Sequence, residues 1–258
     1  MLQTDRIVGA WRNSAASKVP PAELVMVTDF DGTLADMVPD PAQSVALPEA
    51  LHALSHLVRL LADVIILSSR TREQLEQLVP ISGVRLIGDS GRAIPRHAQQ
   101  EALEQFNADA GMLLARIPGG WLEVKPASSA IHFRNAEVNG QEMLALIQPL
   151  LDGRRLAADL GRKVVEVHAP NAGKGSALAA LLPGEDPGGV ICFGDDENDR
   201  SMFDYVCSLE VSHTCVGVSS PEAPAHLFDR CDIVVNGPEE VVALLNEMVE
   251  WAEAGGAQ

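Results

Sequence analysis

Two aspartates one residue apart, Asp29 and Asp31, directly follow the apolar run Leu24–Thr28 in Thr28-Asp29-Phe30-Asp31-Gly32-Thr33-Leu34. Carboxylates this close repel one another unless a cation lies between them, so the pair points to a bound metal. A second acidic group, Asp195-Asp196-Glu197-Asn198-Asp199, follows the apolar residues 190–193. Such dense negative charge is costly without a counter-ion. Each group has a plain alternative: a solvated turn for the first, and an acid-rich opening turn of a helix for the second. The position of D-x-D-G-T-L right after a buried strand favours chemistry, because ligands of open α/β sheets bind beyond the carboxyl ends of the strands. Two further residues are weaker. Ser68 alone reads as a helix N-cap, and Lys174 alone reads as a surface lysine. A nucleotide-binding P-loop ending there would need Gly at 168 and Ser or Thr at 175, where the chain has His168 and Gly175.

Positioning these groups requires strands that end together. Residues 24–28, 64–67, 85–87, 190–193 and 233–235 are short apolar runs bounded by turn residues or helical patterns, and read as buried parallel strands. Helical spacing of apolar residues appears over 48–61, 72–78, 174–182 and 239–251. Alternating strands and helices predict a doubly wound, Rossmann-like α/β core with a parallel sheet. The middle differs: strands at 121–124 and 129–133, a helix at 137–151 and a strand at 163–167 predict a small inserted α+β cap. The expected division is residues 1–93 and 170–258 for the core and 94–169 for the cap.

The 258 residues allow a core domain with a smaller companion, and 47% hydrophobic content supports a substantial buried interior. A formal charge of −17 argues against nucleic acid or an anionic membrane as partner, since both are polyanions. It leaves room for a phosphorylated small molecule, whose charge a divalent metal can neutralise locally. The four cysteines, Cys192, Cys207, Cys215 and Cys231, show no C-x-x-C pair and no zinc-type spacing with histidine. They read as small residues near the core of a protein from a reducing compartment. With no apolar leader in residues 1–18 and no run long enough to span a bilayer, the chain is expected to be soluble and cytoplasmic. Its oligomeric state is not written in the sequence, and a monomer is favoured.

The order D-x-D, Ser68, Lys174, acidic cluster resembles the motif order of the haloacid dehalogenase superfamily of phosphohydrolases. That resemblance implies Asp29 as nucleophile, forming an aspartyl-phosphate, and Asp31 as general acid and base. It implies Ser68 and Lys174 as holders of the phosphoryl oxygens. Mg2+ would be bound among Asp29, Asp31, Asp195, Asp196 and Asp199, with Asp31 contributing its backbone carbonyl.

Several stretches are similar to trehalose-6-phosphate phosphatases: residues 29–41 (DFDGTLADMVPDP), 67–70 (LSSR), 121–134 (WLEVKPASSAIHFR), 164–174 (VVEVHAPNAGK) and Gly194-Asp195-Asp196 followed by Asp199. The similarity implies a sugar-phosphate substrate, trehalose 6-phosphate first, contacted by Arg70, Glu123, Lys125, His132, Arg134 and Glu166. Without it, the five cap residues would read as the polar face of an exposed sheet. The chain departs from the family pattern at Gly88-Asp89-Ser90-Gly91, at His168 and at Ser69. Alternatives are a phosphatase for sucrose 6-phosphate or a glycosyl-3-phosphoglycerate, and, from a different class, a non-catalytic regulatory domain. The latter predicts loss of the acidic groups, all of which are present. A dehalogenase would lack the second aspartate, and a P-type pump would need membrane spans.

Overall fold

A computed structural model describes residues 3–93, 95–170, 173–223 and 225–256. In chain order the elements are α1 (Gln3–Asn13), β1 (Leu24–Thr28), α2 (Pro48–Leu57), β2 (Asp63–Leu67), α3 (Arg72–Leu78), β3 (Arg85–Ile87), α4 (His97–Leu114), β4 (Trp121–Val124), β5 (Ser128–His132), α5 (Gly140–Leu151), β6 (Ala157–Gly161), β7 (Val164–His168), α6 (Lys174–Leu181), β8 (Gly189–Gly194), α7 (Arg200–Cys207), β9 (Ser212–Ser219), β10 (Ile233–Asn236) and α8 (Gly237–Glu253). They build two sheets. One has six strands in the order β10-β9-β8-β1-β2-β3, every neighbouring pair parallel. The other has four strands, β4-β5-β7-β6, all antiparallel.

The parallel sheet is covered on both faces, as crossover connections require. Alternate strand residues point to opposite layers. Met26, Ile66, Ile191 and Val216 join α1, α2 and α8, while Val27, Ile65, Cys192 and Cys215 join α6 and α7. Trp11 of α1 meets Trp251 of α8 edge-on, with ring centroids 5.1 Å apart, a contact worth ~1 kcal/mol beyond its buried area. The chain runs from β1 to β2 on one side, and β8 lies on the other, so the direction of winding switches between β1 and β8. One face of the antiparallel sheet packs Ile131, Val165 and Val167 against Phe106 of α4 and Ile147 of α5.

The parallel α/β core and the separate α+β sheet agree with the fold read from sequence. The details differ in several places, and neither β9, the sixth strand of the parallel sheet, nor α1 was expected. The helical pattern over 48–61 stops at Leu57, after which the chain turns into β2. The cap helix begins at Gly140 instead of 137, because Asn139 caps it and exchanges a capping box with Glu142. Helix α4 was not expected, although Leu103, Phe106, Ala110 and Leu114 form its buried stripe at helical spacing. Strand β6 was not expected either, since Ala-Ala-Asp-Leu-Gly carries little strand propensity and is held at a sheet edge by pairing with β7. The expected cap border at Ile94 lies outside the described residues, as do residues 171 and 172 ahead of Lys174. Among the described residues no helix is long and apolar enough to cross a membrane.

Candidate active site

β1 and β8 are hydrogen-bonded neighbours in register from Leu24–Gly189 to Thr28–Phe193. The residues that follow each strand therefore emerge side by side. Asp29, Asp195 and Asp199 are all buried, and one carboxylate oxygen from each lies within 4.8 Å of the other two. Gly32 makes this approach possible: its φ is +77°, and a Cβ there would stand 1.9 Å from Asp195 Oδ2. Three hard oxygen donors converging in a buried site fit a divalent cation. Asp195 Oδ2 is buried and accepts no hydrogen bond, its one charged neighbour outside the cluster being the Arg162 guanidinium. Burial pushes the Asp29 carboxyl up to about 7; Lys174 opposes this and Asp199 adds to it. Burial likewise raises Asp195 well above the usual carboxylate range, against the pull of Arg162. Acids so destabilised as anions are stabilised by a cation in their midst.

Lys174, the first residue of α6, is fully buried, with Nζ 2.7 Å from Asp29 Oδ1 and 2.6 Å from Asp199 Oδ1. Burial works to lower its pKa, but the two carboxylates win and hold it above the ordinary lysine value. Asp199 also accepts hydrogen bonds from the backbone N–H groups of Asp195 and Asp196, which fixes the turn after β8. Asp196, expected in the metal set, is not part of this convergence. Its Oδ1 caps the turn through the Glu197 N–H at 2.7 Å, and its Oδ2 accepts from the Arg162 N–H at 2.9 Å.

Ser68 stands just past the end of β2, buried, and its hydroxyl accepts a 3.3 Å hydrogen bond from the Arg70 N–H. It does not cap α3. Thr71 does, in a capping box with Gln74. Arg70, expected among the substrate contacts, clamps the Asp31 carboxylate with two 2.7 Å hydrogen bonds and also donates to the Pro41 carbonyl. A bidentate arginine fixes the direction of the Asp31 carboxylate.

The antiparallel sheet turns its polar face to this strand-end cluster. Pairing aligns Glu123, Ala130, Glu166 and Asp159 in one transverse row, beside the row of Trp121 and His132. His132 Nε2 is 2.9 Å from Glu123, and its ring stacks on Trp121 at 4.0 Å. Lys125 donates to the Ser69 carbonyl at 2.9 Å and lies 3.4 Å from Glu166 and 3.8 Å from Glu123. Glu166 is also held by Arg92 at 2.7 Å and Ser128 at 2.8 Å. Arg134 reaches across to Glu222, 3.2 Å away in the loop after β9. A cleft between the sheets is lined by Asp29, Asp31, Arg70, Glu123, Lys125, His132, Arg134, Glu166, Asp195 and Asp196. The structure thus gathers all the residues singled out from sequence at one cleft or in its floor, with Ser68, Lys174 and Asp199 behind its lining.

Several charged residues there escaped the sequence reading, Asp159 and Lys163 in the lining and, more closely engaged with the acidic groups, Arg162 and Arg92. Arg162, at the tip of the β6–β7 hairpin, places Nη1 2.8 Å from Asp195 Oδ2 and donates through Nη2 to the Asp195 carbonyl at 2.6 Å. The Nη1 contact is an ion pair without hydrogen-bond alignment. Arg92, on the connection into α4, is buried between Glu166 and Asp159. The Gly161-Arg162-Lys163 turn was the one available signal for Arg162, but it marks a hairpin only once β6 is recognised.

A Rossmann-like core with carboxylates at the ends of β1 and β8, beneath an inserted α+β cap, defines a member of the haloacid dehalogenase superfamily. Within it, the chain belongs to the trehalose-phosphatase family, whose model matches residues 27–227. It is 31% identical over 196 residues to a bifunctional trehalose-6-phosphate synthase/phosphatase of Thermoproteus tenax, covering 70% of this chain and 27% of that protein. It is 31% identical over 233 residues to the trehalose-phosphate phosphatase of Mycobacterium bovis, covering 78% of this chain and 59% of that protein. The chain therefore spans less than two thirds of the length of these relatives. Its fold is similar to the C-terminal domain of C. albicans trehalose-6-phosphate phosphatase, with a TM-score of 0.75, 18% identity, and coverage of 96% of this chain and 97% of that one.

Proposed function

We propose that this chain hydrolyses trehalose 6-phosphate to trehalose and inorganic phosphate. The observation that carries the reading is the convergence of Asp29, Asp195 and Asp199 with Lys174, beneath a sheet face rich in hydrogen-bonding groups. A phosphate monoester needs a nucleophile, a proton for the leaving oxygen and neutralisation of charge. Asp29 attacks phosphorus, its Oδ–P bond forming as the bond from phosphorus to the sugar oxygen breaks. Asp31, entering this step as the protonated acid released from the Arg70 clamp, gives that oxygen its proton and is left as the anion. Returned to its anionic form, Asp31 then takes a proton from water. The water oxygen attacks phosphorus, the bond to Asp29 breaks, and phosphate departs with the carboxylate restored.

Lys174 holds Asp29 in place and offers its positive charge to the phosphoryl oxygens, with the Ser68 hydroxyl beside them. Mg2+ is the cation this oxygen set suits; Asp29, Asp195 and Asp199 would hold it, together with the Asp31 carbonyl, and bound there it neutralises phosphate charge. Glu123, Lys125, His132, Arg134 and Glu166 would meet the disaccharide hydroxyls, because a face of paired donors and acceptors penalises a ligand that leaves them unmatched. The residues 94–169 act as the cap that selects the leaving group. A phosphorylated sugar does not cross membranes unaided, so the setting is read as cytoplasmic.

The test is phosphate release in Mg2+ from trehalose 6-phosphate, sucrose 6-phosphate, glucose 6-phosphate, mannosyl-3-phosphoglycerate and p-nitrophenyl phosphate. A clear preference for trehalose 6-phosphate is expected. A preference for another sugar phosphate would overturn the substrate, and no release from any of them would overturn the activity.

A further inference from the structure

All four cysteines of the chain converge on one side of the parallel sheet, away from the strand-end cleft. Cys192 of β8 and Cys215 of β9 are register partners, with sulfurs 3.4 Å apart. Cys207, the last residue of α7, brings its sulfur to 3.7 Å from that of Cys215. Cys231 packs beside β9, where its sulfur faces Gly217. Nothing in the spacing 192, 207, 215, 231 announced this meeting.

A metal does not account for it. Among the described residues the only group of three or more His, Cys, Asp or Glu ligand atoms mutually within 4.8 Å is the aspartate trio. The sulfurs instead fall into close pairs around Cys215. Of these pairs, Cys192 and Cys215 are both fully buried, so a dissolved oxidant reaches neither. Cys207 is partly exposed, at a helix end followed by the short turn into β9. A disulfide requires sulfurs ~2 Å apart, so this pair must close by about 1.7 Å, within reach of a helix terminus and its turn.

We propose that Cys207 and Cys215 form a reversible disulfide when the protein meets a peroxide. The Cys207 sulfur attacks one peroxide oxygen, the O–O bond breaks and water leaves, giving a sulfenic acid. The Cys215 sulfur then attacks the Cys207 sulfur, the S–O bond breaks, and a second water leaves carrying the remaining thiol proton. In sum, two thiols and one hydrogen peroxide give one disulfide and two waters. Hydrogen bonds from Cys192 and Cys207 lower the Cys215 pKa against burial, which suits it to the second step. Burial raises Cys207 to about 11, so the first step is slow at neutral pH and faster in mild alkali. The bond ties down the end of α7 opposite Asp199, the residue that begins the helix at the carboxylate cluster.

Trypsin makes the test direct. Cys207 and Cys215 fall in one peptide, residues 201–230, whereas Cys192 lies in 175–200 and Cys231 begins the next peptide. The folded full chain is treated with hydrogen peroxide at mildly alkaline pH, alkylated, digested and analysed by mass spectrometry. The proposal predicts that peptide 201–230 appears unalkylated and lighter by two hydrogens, reverting with dithiothreitol. Cys207→Ser should abolish that species and Cys192→Ser should leave it. Alkylation of both cysteines after treatment, or a cross-link of 175–200 to 201–230 as the main product, would overturn it. So would oxidation of Cys207 that dithiothreitol does not reverse.

Discussion

Glu166→Gln offers a prediction whose size follows from the structure. The Glu166 carboxylate is buried, held by Arg92 at 2.7 Å, Ser128 at 2.8 Å and Lys125 at 3.4 Å. Burial alone would raise its pKa, but the Lys125 and Arg92 charges, with the Ser128 and Arg92 hydrogen bonds, bring it down from 4.5 to about 2. A depressed folded-state pKa stabilises the fold above the unfolded value, and that contribution is lost as pH falls from 4.5 towards 2. The drop from 4.5 to about 2 corresponds to ~3 kcal/mol at neutral pH, falling to ~1 kcal/mol near pH 3. Glutamine removes the titration and leaves Arg92 and Lys125 facing a neutral amide. Urea unfolding of both proteins at pH 7, 5, 4 and 3 should show a gap of ~3 kcal/mol at pH 7 that begins to shrink between pH 5 and pH 4 and has more than halved by pH 3. A gap under 1 kcal/mol at pH 7, or one that widens in acid, would refute the reasoning that the two cations outweigh desolvation.

Two further outcomes follow from the charges at the strand ends. Lys174→Met leaves Asp29 and Asp199 buried without their shared cation, and should lower metal-free stability by ~3–5 kcal/mol in chemical denaturation; a loss below 1 kcal/mol would count against the buried pairing. Arg162→Ala removes a cation that competes for Asp195, so calorimetric titration of the EDTA-stripped protein should find Mg2+ bound at least about fivefold more tightly, ~1 kcal/mol. Unchanged or weaker binding would mean that the arginine does not compete with the metal.

How much of this site a sequence can carry depends on distance along the chain. Asp29 and Asp195 were legible because each directly follows a buried strand, and strands of a parallel sheet end together. Which of Asp195, Asp196 and Asp199 turn inward was not legible. A tight turn decides it, and there Asp196 is consumed as a cap while Asp199 folds back under the Asp195 N–H. Ser68 looked like the cap of α3, yet the chain continues three residues further to Thr71, whose box with Gln74 closes the helix. Arg70 stood among sugar contacts by resemblance, but its guanidinium is committed to Asp31. Strand β6, with Asp159 and the Arg162 hairpin, stayed hidden because its residues favour no strand and only pairing with β7 creates one.

Nucleophile and metal site are tested together by phosphate release from trehalose 6-phosphate by the wild-type chain and by Asp29→Asn, each in Mg2+ and in excess EDTA, with circular dichroism to confirm that both are folded. Release is expected only from the wild-type chain in Mg2+. Turnover by folded Asp29→Asn would contradict Asp29 as the nucleophile, and full activity in EDTA would contradict the carboxylate cluster as a metal site.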